Sequence, residues 1–263
     1  QSYLSGDNIL CAVAKFGTNT KHISGARSDY GNKNFKRSFS RKFLDYFSWL
    51  LSDKIISNNN SGVKYLSKLC FIKKEKIVVI NNGIRIPNRS GFNDMGKVTI
   101  GCLGNLHDYK NQKILIEAYS KIHSDSELLI AGDGIERENI IDYLKSFNIE
   151  PQKTLLGKIT DVTNFYNSIN IFVHPSLREG SPNSLLEAMA HKKLCIVSNI
   201  EENREALGES PDECFFEPND SNDLVKKINF WIKKHEYAKE IAKKNYLRIK
   251  TKFSISELIK SHG

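Results

Sequence analysis

From residue 97 to about residue 235, short apolar runs alternate with longer segments in which apolar residues recur at helical spacing. The apolar runs lack the strict alternation of a half-exposed sheet, so each is predicted to be a strand buried on both faces. These predicted strands lie at residues 98–103, 128–131, 154–156, 169–173, 194–198 and 214–216. The predicted helices lie near residues 111–122, 135–147, 161–168, 183–191, 201–207 and 220–235. The pattern indicates a doubly wound, Rossmann-like α/β domain.

The first 90 residues show the same alternation with fewer elements. Strands are predicted at 22–25, 54–57 and 76–80, and helices near 5–16, 34–51 and 61–71. These elements amount to roughly half of a second Rossmann-like domain. A turn-rich stretch over residues 81–96 is interpreted as the linker. The predicted division is therefore residues 1–90, residues 91–235 and a Lys-rich helical tail, 236–263, that we expect to pack back on the first domain.

The composition is that of a globular protein, with 40% hydrophobic and 26% charged residues among 263 positions. No apolar run approaches the ~20 residues that a membrane-crossing helix needs. The cysteines have neither metal-ligand nor redox spacing, and they are Cys11, Cys70, Cys102, Cys195 and Cys214. We therefore expect reduced, mostly buried thiols and a cytoplasmic protein.

The positive charge of the chain is concentrated in its first third. Residues 1–90 hold 16 Lys and Arg against 5 Asp and Glu, whereas the whole chain has a net charge of +9. This excess predicts an anionic partner, which could be membrane headgroups, a phosphorylated substrate or nucleic acid. Nucleic acid is the poorest of the three, because no recognised binding motif accompanies the charge.

A basic aromatic segment lies within this charged region. Phe35, Phe39, Phe43 and Phe47 recur every four residues and form one stripe of the predicted helix, while basic residues lie mainly off that stripe. Such a helix can lie on an anionic membrane surface. A stripe of this kind more often packs in a core, so we expect the aromatic rings to be buried and the basic face to contact headgroups.

Two glutamates flank the segment with the strongest sequence signal for a binding or catalytic site. Glu179 and Glu187 stand on either side of a small-residue loop and a predicted helix start, directly after a buried strand. Ser181 is predicted to be the N-cap and Pro182 the first helical residue. The backbone N–H groups at this helix start would form an anion site. Glu187 lies one helical turn beyond Asn183, on the same face.

Two further strand ends carry candidate residues, since ligands of such domains bind at the carboxyl ends of the strands. Lys110 follows the first strand of the second domain, where it would bind a phosphate or simply be solvated. Gly132 and Gly134 follow the next strand and allow close backbone approach, although an ordinary turn explains them as well. Glu187 has mostly apolar neighbours, and a carboxylate in such a setting usually has a partner.

The motifs in their order along the chain resemble those of the fourth family of retaining glycosyltransferases, also described as group 1. They are Asn82-Gly83, Gly104 with Lys110-Asn111, Ala131-Gly132-Asp133-Gly134, Leu156-Gly157 and the segment from Glu179 to Glu187. The resemblance covers essentially the whole chain and is strongest over residues 97–208. It implies the GT-B fold of two facing Rossmann-like domains, the first of them incomplete here.

The resemblance also implies a role for each matched residue. The implied donor-binding residues are Asn105, Lys110, Gly132, Gly157, Lys158, Ile159, Gly180, Ser181, Pro182, Asn183, Ser184, Leu185 and Glu187. Lys110 and the helix-start amides would bind the diphosphate, Glu187 the ribose and residues 157–159 the nucleobase. Glu179 would contact the transferred sugar near the reacting carbon. No metal and no cofactor are expected, and a UDP-sugar is favoured over a GDP-sugar as donor.

The chain departs from the family pattern in three places. Asn105 stands where many members carry Arg or Lys, so diphosphate binding would depend more on Lys110. The position of the family's cleft histidine aligns with Arg27, or else with His22. Arginine is no base, but Arg27 would either neutralise phosphate charge on the acceptor or simply be a surface loop residue. We also expect that on the order of 80–100 residues of the first domain precede residue 1 in a complete enzyme, and that this chain alone is weakly active or inactive.

The function expected from the resemblance is sugar transfer from a nucleoside-diphosphate sugar to a glycan or polyprenyl-diphosphate-linked acceptor. The expected setting is bacterial surface polysaccharide assembly, such as lipopolysaccharide or capsule, peripherally on the inner face of the plasma membrane. The alternatives are a GT-B epimerase or phosphorylase, or a non-catalytic nucleotide-sugar-binding module. A NAD-linked enzyme is disfavoured because no Gly-x-Gly-x-x-Gly follows a predicted strand.

Overall fold

The computed structural model describes residues 1–2, 5–27, 38–88, 90–93, 97–122 and 125–262. It divides into two compact units. The first comprises Gln1–Asn82 together with Glu179–Ser181 and His262. The second comprises Gly83–Arg178 and Pro182–Ser261.

The first unit contains a three-stranded parallel sheet in the order β1-β2-β3. Its strands are β1 (Ile23–Ala26), β2 (Lys54–Ser57) and β3 (Ile77–Val79). Its helices are α1 (Ser5–Ala14), α2 (Phe39–Leu51) and α3 (Asn60–Leu66). A small core around Trp49, Ile55 and Leu66 joins these layers. All three predicted strands are present, with ends that differ by at most one residue.

The second unit contains a six-stranded, fully parallel sheet in the order β6-β5-β4-β7-β8-β9. Its strands are β4 (Val98–Leu103), β5 (Ser126–Ala131), β6 (Leu155–Gly157), β7 (Ile171–His174), β8 (Leu194–Ser198) and β9 (Phe215–Phe216). Its helices are α4 (Gln112–Ser120), α5 (Arg137–Ser146), α6 (Pro151–Thr154), α7 (Val162–Ser168), α8 (Asn183–Ala190), α9 (Glu201–Leu207), α10 (Ser221–Lys233), α11 (His235–Arg248) and α12 (Ile255–His262). Every residue of β7 and β8 is buried, as the continuous apolar runs predicted.

The strand order places a topological switch point in the middle of this sheet. The chain runs from β4 outward to β5 and β6, then returns to the other side of β4 with β7 and continues to β8 and β9. At such a point the loops after the two central strands diverge and leave a crevice that binds ligands. The loops that matter here are the one after β4 and the one after β7.

The aromatic stripe of α2 does not form the expected core. Phe39 is 85% exposed, Phe43 52% and Phe47 43%. The expected burial of these three rings is therefore wrong, while Phe35 lies outside the described residues. Trp49 is buried instead, and it lies two residues beyond Phe47. At 3.6 residues per turn, that offset places Trp49 on the opposite side of the helix.

Backbone hydrogen bonds tie the ends of three neighbouring strands together. The N–H of Gly104 donates to the carbonyl of Ala131 at 3.0 Å, and the N–H of Gly132 donates to the carbonyl of Gly157 at 2.8 Å. Gly132 has φ +140°, and a Cβ built on it would lie 1.9 Å from the Gly104 carbonyl oxygen. Glycine is therefore required at position 132 both for its backbone conformation and for the close approach of the two loops.

We predict that Gly132→Ala destabilises the protein by about 2 kcal/mol or more, because the new methyl group must displace backbone rather than a flexible side chain. Urea denaturation measures this change. Gly104→Ala is the matched control in the adjoining loop, since its Cβ would meet its nearest neighbour, Lys110 Cδ, at 4.0 Å. Equal stability of the two variants would contradict the prediction.

Candidate functional site

The loop after β4 places Lys110 beside the end of that strand. Lys110 closes a short 3-10 turn, Asp108–Lys110, and Asn111 follows it in the left-handed conformation with φ 53°. The Lys110 side chain lies near Gly104, and its Nζ is 5.7 Å from the centroid of the Tyr109 ring. Asn105 is exposed in the same loop. The predicted phosphate-binding lysine is therefore half-buried at the end of the central strand.

Tyr109 connects this loop to the one after β7. Its carbonyl accepts a hydrogen bond from the N–H of Leu177 at 2.8 Å. The guanidinium carbon of Arg178 lies 4.4 Å from the centroid of its ring. Arg178 thus brings a second cation to this crevice, stacked on the ring as guanidinium groups often are. No sequence signal marks Arg178 as functional, although it directly precedes Glu179.

The helix start after β7 differs by one residue from its prediction. α8 begins at Asn183, and Pro182 occupies the N-cap position with no side-chain cap hydrogen bond. The prediction of Ser181 as N-cap and Pro182 as first helical residue is therefore wrong. Because a proline side chain has no acceptor, the cap residue leaves the first-turn amides of α8 to other partners. Leu185 is fully buried, so its side chain is not available to a ligand.

Glu187 has a partner that the sequence did not reveal. The hydroxyl of Tyr166 lies 3.1 Å from Glu187 Oε2 and 2.8 Å from the carbonyl oxygen of Ser184. Tyr166 is on α7 and is fully buried. The carboxylate expected to need a partner in its apolar setting thus finds one 21 positions earlier in the chain.

Burial controls the acid–base properties of this pair. It raises the pKa of Glu187 above its ordinary value, and the hydrogen bond from Tyr166 opposes that rise. Burial also raises the pKa of Tyr166 well above its ordinary value, with the Glu187 charge adding to the effect. Tyr166 is therefore a neutral hydrogen-bond donor at physiological pH.

The segment predicted to line a nucleobase begins at the last residue of β6, on the same edge of the sheet. Gly157 has φ +69°, and its carbonyl accepts from Gly132. Lys158 is exposed and Ile159 is half-buried. These residues share the carboxyl edge with Lys110 and α8, because all six strands are parallel.

The remaining predicted residues belong to the first unit. Glu179 is buried, with 8% exposure, and Asn59 donates its side-chain amide to the carbonyl of Gly180. Arg27 is exposed and donates to Asn82 Oδ1 at 2.9 Å. The alternative position, His22, is buried with Nε2 2.8 Å from the Ser2 hydroxyl, and burial lowers its pKa.

The described ranges hold no group of three or more His, Cys, Asp or Glu side chains arranged to bind a metal ion. In those same ranges, no helix has the length and apolarity that crossing a membrane requires. The described cysteines are all free thiols, buried at Cys102, Cys195 and Cys214 as expected but exposed at Cys70.

The sequence model of one protein family matches this chain. The family is described as "Glycosyl transferases group 1", and the match covers residues 85–248. That range includes the crevice residues of the second unit from Asn105 to Glu187. The resemblance inferred from the motifs is confirmed by this match.

Curated relatives are similar over much of the chain. The N-acetylgalactosamine-N,N'-diacetylbacillosaminyl-diphospho-undecaprenol 4-alpha-N-acetylgalactosaminyltransferase of Campylobacter jejuni is 23% identical over 258 residues, which are 94% of this chain and 70% of that protein. The UDP-Gal:alpha-D-GlcNAc-diphosphoundecaprenol alpha-1,3-galactosyltransferase of Escherichia coli is 28% identical over 202 residues, covering 70% of this chain and 52% of that protein. Across the relatives compared, the matched part is 45–70% of their length.

Solved structures share the fold. Anabaena HepE in complex with UDP-glucose matches with a TM-score of 0.87 and 16% identity, covering 98% of this chain and 76% of that one. The sucrose-phosphate synthase of Thermosynechococcus elongatus matches with a TM-score of 0.86 and 17% identity, covering 98% and 70%. At these identities the likeness shows the fold alone, and it confirms the predicted GT-B class.

We predict that Glu187→Gln makes the protein more stable at pH 7. A raised pKa means that the folded chain favours the protonated carboxyl more than the unfolded chain does, so ionisation of Glu187 lowers stability as the pH rises through the folded pKa. The gain should disappear below the ordinary pKa of 4.5. Thermal unfolding at both pH values measures it, with the exposed Glu138→Gln on α5 as control. A variant less stable than the parent at pH 7 would contradict the prediction.

Proposed function

Because the chain belongs to the group 1 family of glycosyl transferases, we propose that it is a retaining, metal-independent glycosyltransferase. It would move a sugar from a nucleoside-diphosphate sugar to a glycan or polyprenyl-diphosphate-linked acceptor. The observation that carries this proposal is the joint position of Lys110, the start of α8 and Glu187 at the switch point of the six-stranded sheet.

The donor diphosphate is assigned to Lys110 and the first turn of α8. A helix start presents backbone N–H groups and the positive end of the helix dipole to an anion. Lys110 adds a full charge on the neighbouring loop, whose backbone is bonded to the loop after β7. Asn105 contributes at most an amide hydrogen bond, so the charge on Lys110 carries more of the attraction.

The nucleoside is assigned to Glu187 and to residues 157–159. Glu187 lies one turn inside α8, where its carboxylate can accept hydrogen bonds from two ribose hydroxyls. A UDP-sugar is the favoured donor. Anabaena HepE, solved with UDP and with UDP-glucose, and the Escherichia coli relative, named for UDP-Gal, support that choice.

The catalytic roles rest on the resemblance. Glu179 is assigned to the transferred sugar near its reacting carbon, and Arg27 to the phosphate charge of the acceptor. The acceptor hydroxyl would attack the carbon that releases the nucleoside diphosphate, on the same face. Because the new bond would form on the face from which the leaving group departs, the anomeric configuration would be kept. The departing phosphate oxygen would take the proton that the hydroxyl loses.

The acceptor and the location are proposed from the relatives and from charge. Two of the relatives are named for diphosphoundecaprenol-linked acceptors, and others for capsule or O-antigen biosynthesis. Undecaprenyl carriers are membrane lipids, so an enzyme acting on them must reach the membrane surface. The basic first 90 residues and the exposed rings of α2 suit peripheral contact with the inner face of the plasma membrane.

Nucleotide binding tests the donor assignment. Calorimetry with UDP, GDP, ADP and their sugars should give the tightest binding for UDP compounds. Lys110→Ala should weaken UDP binding about tenfold or more at low salt, because it removes a charge-assisted hydrogen bond, and should flatten the salt dependence. Glu187→Ala should weaken binding at all salt concentrations.

The control for this experiment is Lys145→Ala. Lys145 is an exposed lysine on α5 that pairs with Asp142 at 3.6 Å, and its loss should leave UDP affinity unchanged. The donor assignment fails when neither Lys110→Ala nor Glu187→Ala alters UDP binding relative to this control.

Vesicle binding tests the membrane contact. The double variant Phe39→Ser, Phe43→Ser should lower the fraction that co-sediments with phosphatidylglycerol vesicles, since each ring removed takes apolar area from the interface. Phe71→Ser is the matched control, because Phe71 is 83% exposed in the same unit but lies outside α2. Equal losses in the two proteins would argue against α2 as the contact.

A further inference from the structure

Packing contacts hold the ring of Tyr166 in place, independently of its hydroxyl group. Its side chain is fully buried on α7. The ring stacks on His191 with centroids 4.7 Å apart, and it meets the edge of Phe172 at 5.7 Å. Because His191 follows α8 and Phe172 lies on β7, the ring is held by the two elements that flank the loop after β7.

The hydroxyl joins two acceptors on the first turn and a half of α8. It lies 2.8 Å from the carbonyl oxygen of Ser184 and 3.1 Å from Glu187 Oε2. A phenol has one proton to donate, so that proton is shared between the two acceptors in a bifurcated hydrogen bond. The link ties the end of the Glu187 side chain to the backbone at the start of its own helix.

This link leaves one carboxylate oxygen for another partner. Within the part of the chain that the structure describes, the Tyr166 hydroxyl donates to Oε2 of Glu187, and Oε1 of Glu187 accepts no hydrogen bond from another side chain. A glutamate side chain that must be ordered on binding loses rotamer freedom, and that loss weakens binding. A side chain already held in place avoids part of that cost and binds more tightly.

We propose that Tyr166 is a positioning residue that holds Glu187 for the ribose hydroxyls and thereby strengthens discrimination between nucleotides with and without those hydroxyls. The inference rests on the proposed donor function, because it requires Glu187 to meet the ribose. Tyr166 itself touches no ligand, since its hydroxyl is already engaged and its ring is buried.

The test compares UDP with 2′,3′-dideoxyuridine 5′-diphosphate by calorimetry. Tyr166→Phe keeps the ring and removes the hydroxyl. It should weaken UDP binding about threefold to tenfold and leave binding of the dideoxy nucleotide within about twofold, because the lost bond matters through Glu187. A purely structural role would weaken both nucleotides alike, and that result would overturn the inference.

Two further variants separate this inference from the proposed function. Glu187→Gln should reduce the preference for UDP over the dideoxy nucleotide at least as much as Tyr166→Phe does. When Glu187→Gln removes the preference and Tyr166→Phe keeps it, the positioning role alone fails. When Glu187→Gln keeps the preference, the ribose assignment fails, and the role of Tyr166 fails with it.

The matched control is Tyr119→Phe. The Tyr119 hydroxyl also donates to a backbone carbonyl, that of Ser126 at 2.7 Å, but Ser126 begins β5 at the opposite edge of the sheet. This variant should leave the ratio of the two affinities unchanged. Melting temperatures of all variants confirm that folded protein is compared, and a changed ratio in Tyr119→Phe would overturn the inference by showing that loss of any such hydroxyl has this effect.

Discussion

The side-by-side pairing of β4 and β7 is the constraint on which the candidate site depends. These strands are separated by more than 60 residues, yet Ile100 pairs with Ile171 and Gly101 with Phe172 in parallel register. That register brings the two following loops together, where Leu177 donates to the carbonyl of Tyr109. This strand pairing therefore places Lys110 and the start of α8 close together at the carboxyl edge of the sheet.

The same region holds a group that does not favour stability. Glu187 is a carboxylate in a setting where burial raises its pKa. Functional sites often retain such features because the surrounding core supplies the stability. Here the surrounding core is the set of fully buried strands β7 and β8, which anchors both ends of α8.

The sequence predicts the position of a residue where the determining pattern is local. Buried strands and amphipathic helices follow from spacing, so the spacing predicts that Lys110 and Glu187 lie at the carboxyl edge of the sheet, where the structure has them. Tyr166 was not assigned, because its partner lies 21 residues away and meets it only through tertiary packing. The expected burial of the stripe on α2 fails for a similar reason. Periodicity identifies a helical face, but the neighbours that bury a face are decided elsewhere in the fold.

Some contacts proposed for this site are made by backbone amides and others by side chains. Only substitutions of the second kind remove a contact directly. Amides at a helix start bind an anion whatever their side chains are, so most substitutions in the first turn of α8 leave that binding capacity in place. Asn105 brings no charge, and Leu185 is buried in the core. In the proposed donor site, Lys110 and Glu187 are therefore the positions where a side-chain change would report on phosphate and ribose separately, because one would carry charge toward the anion and the other would accept hydrogen bonds.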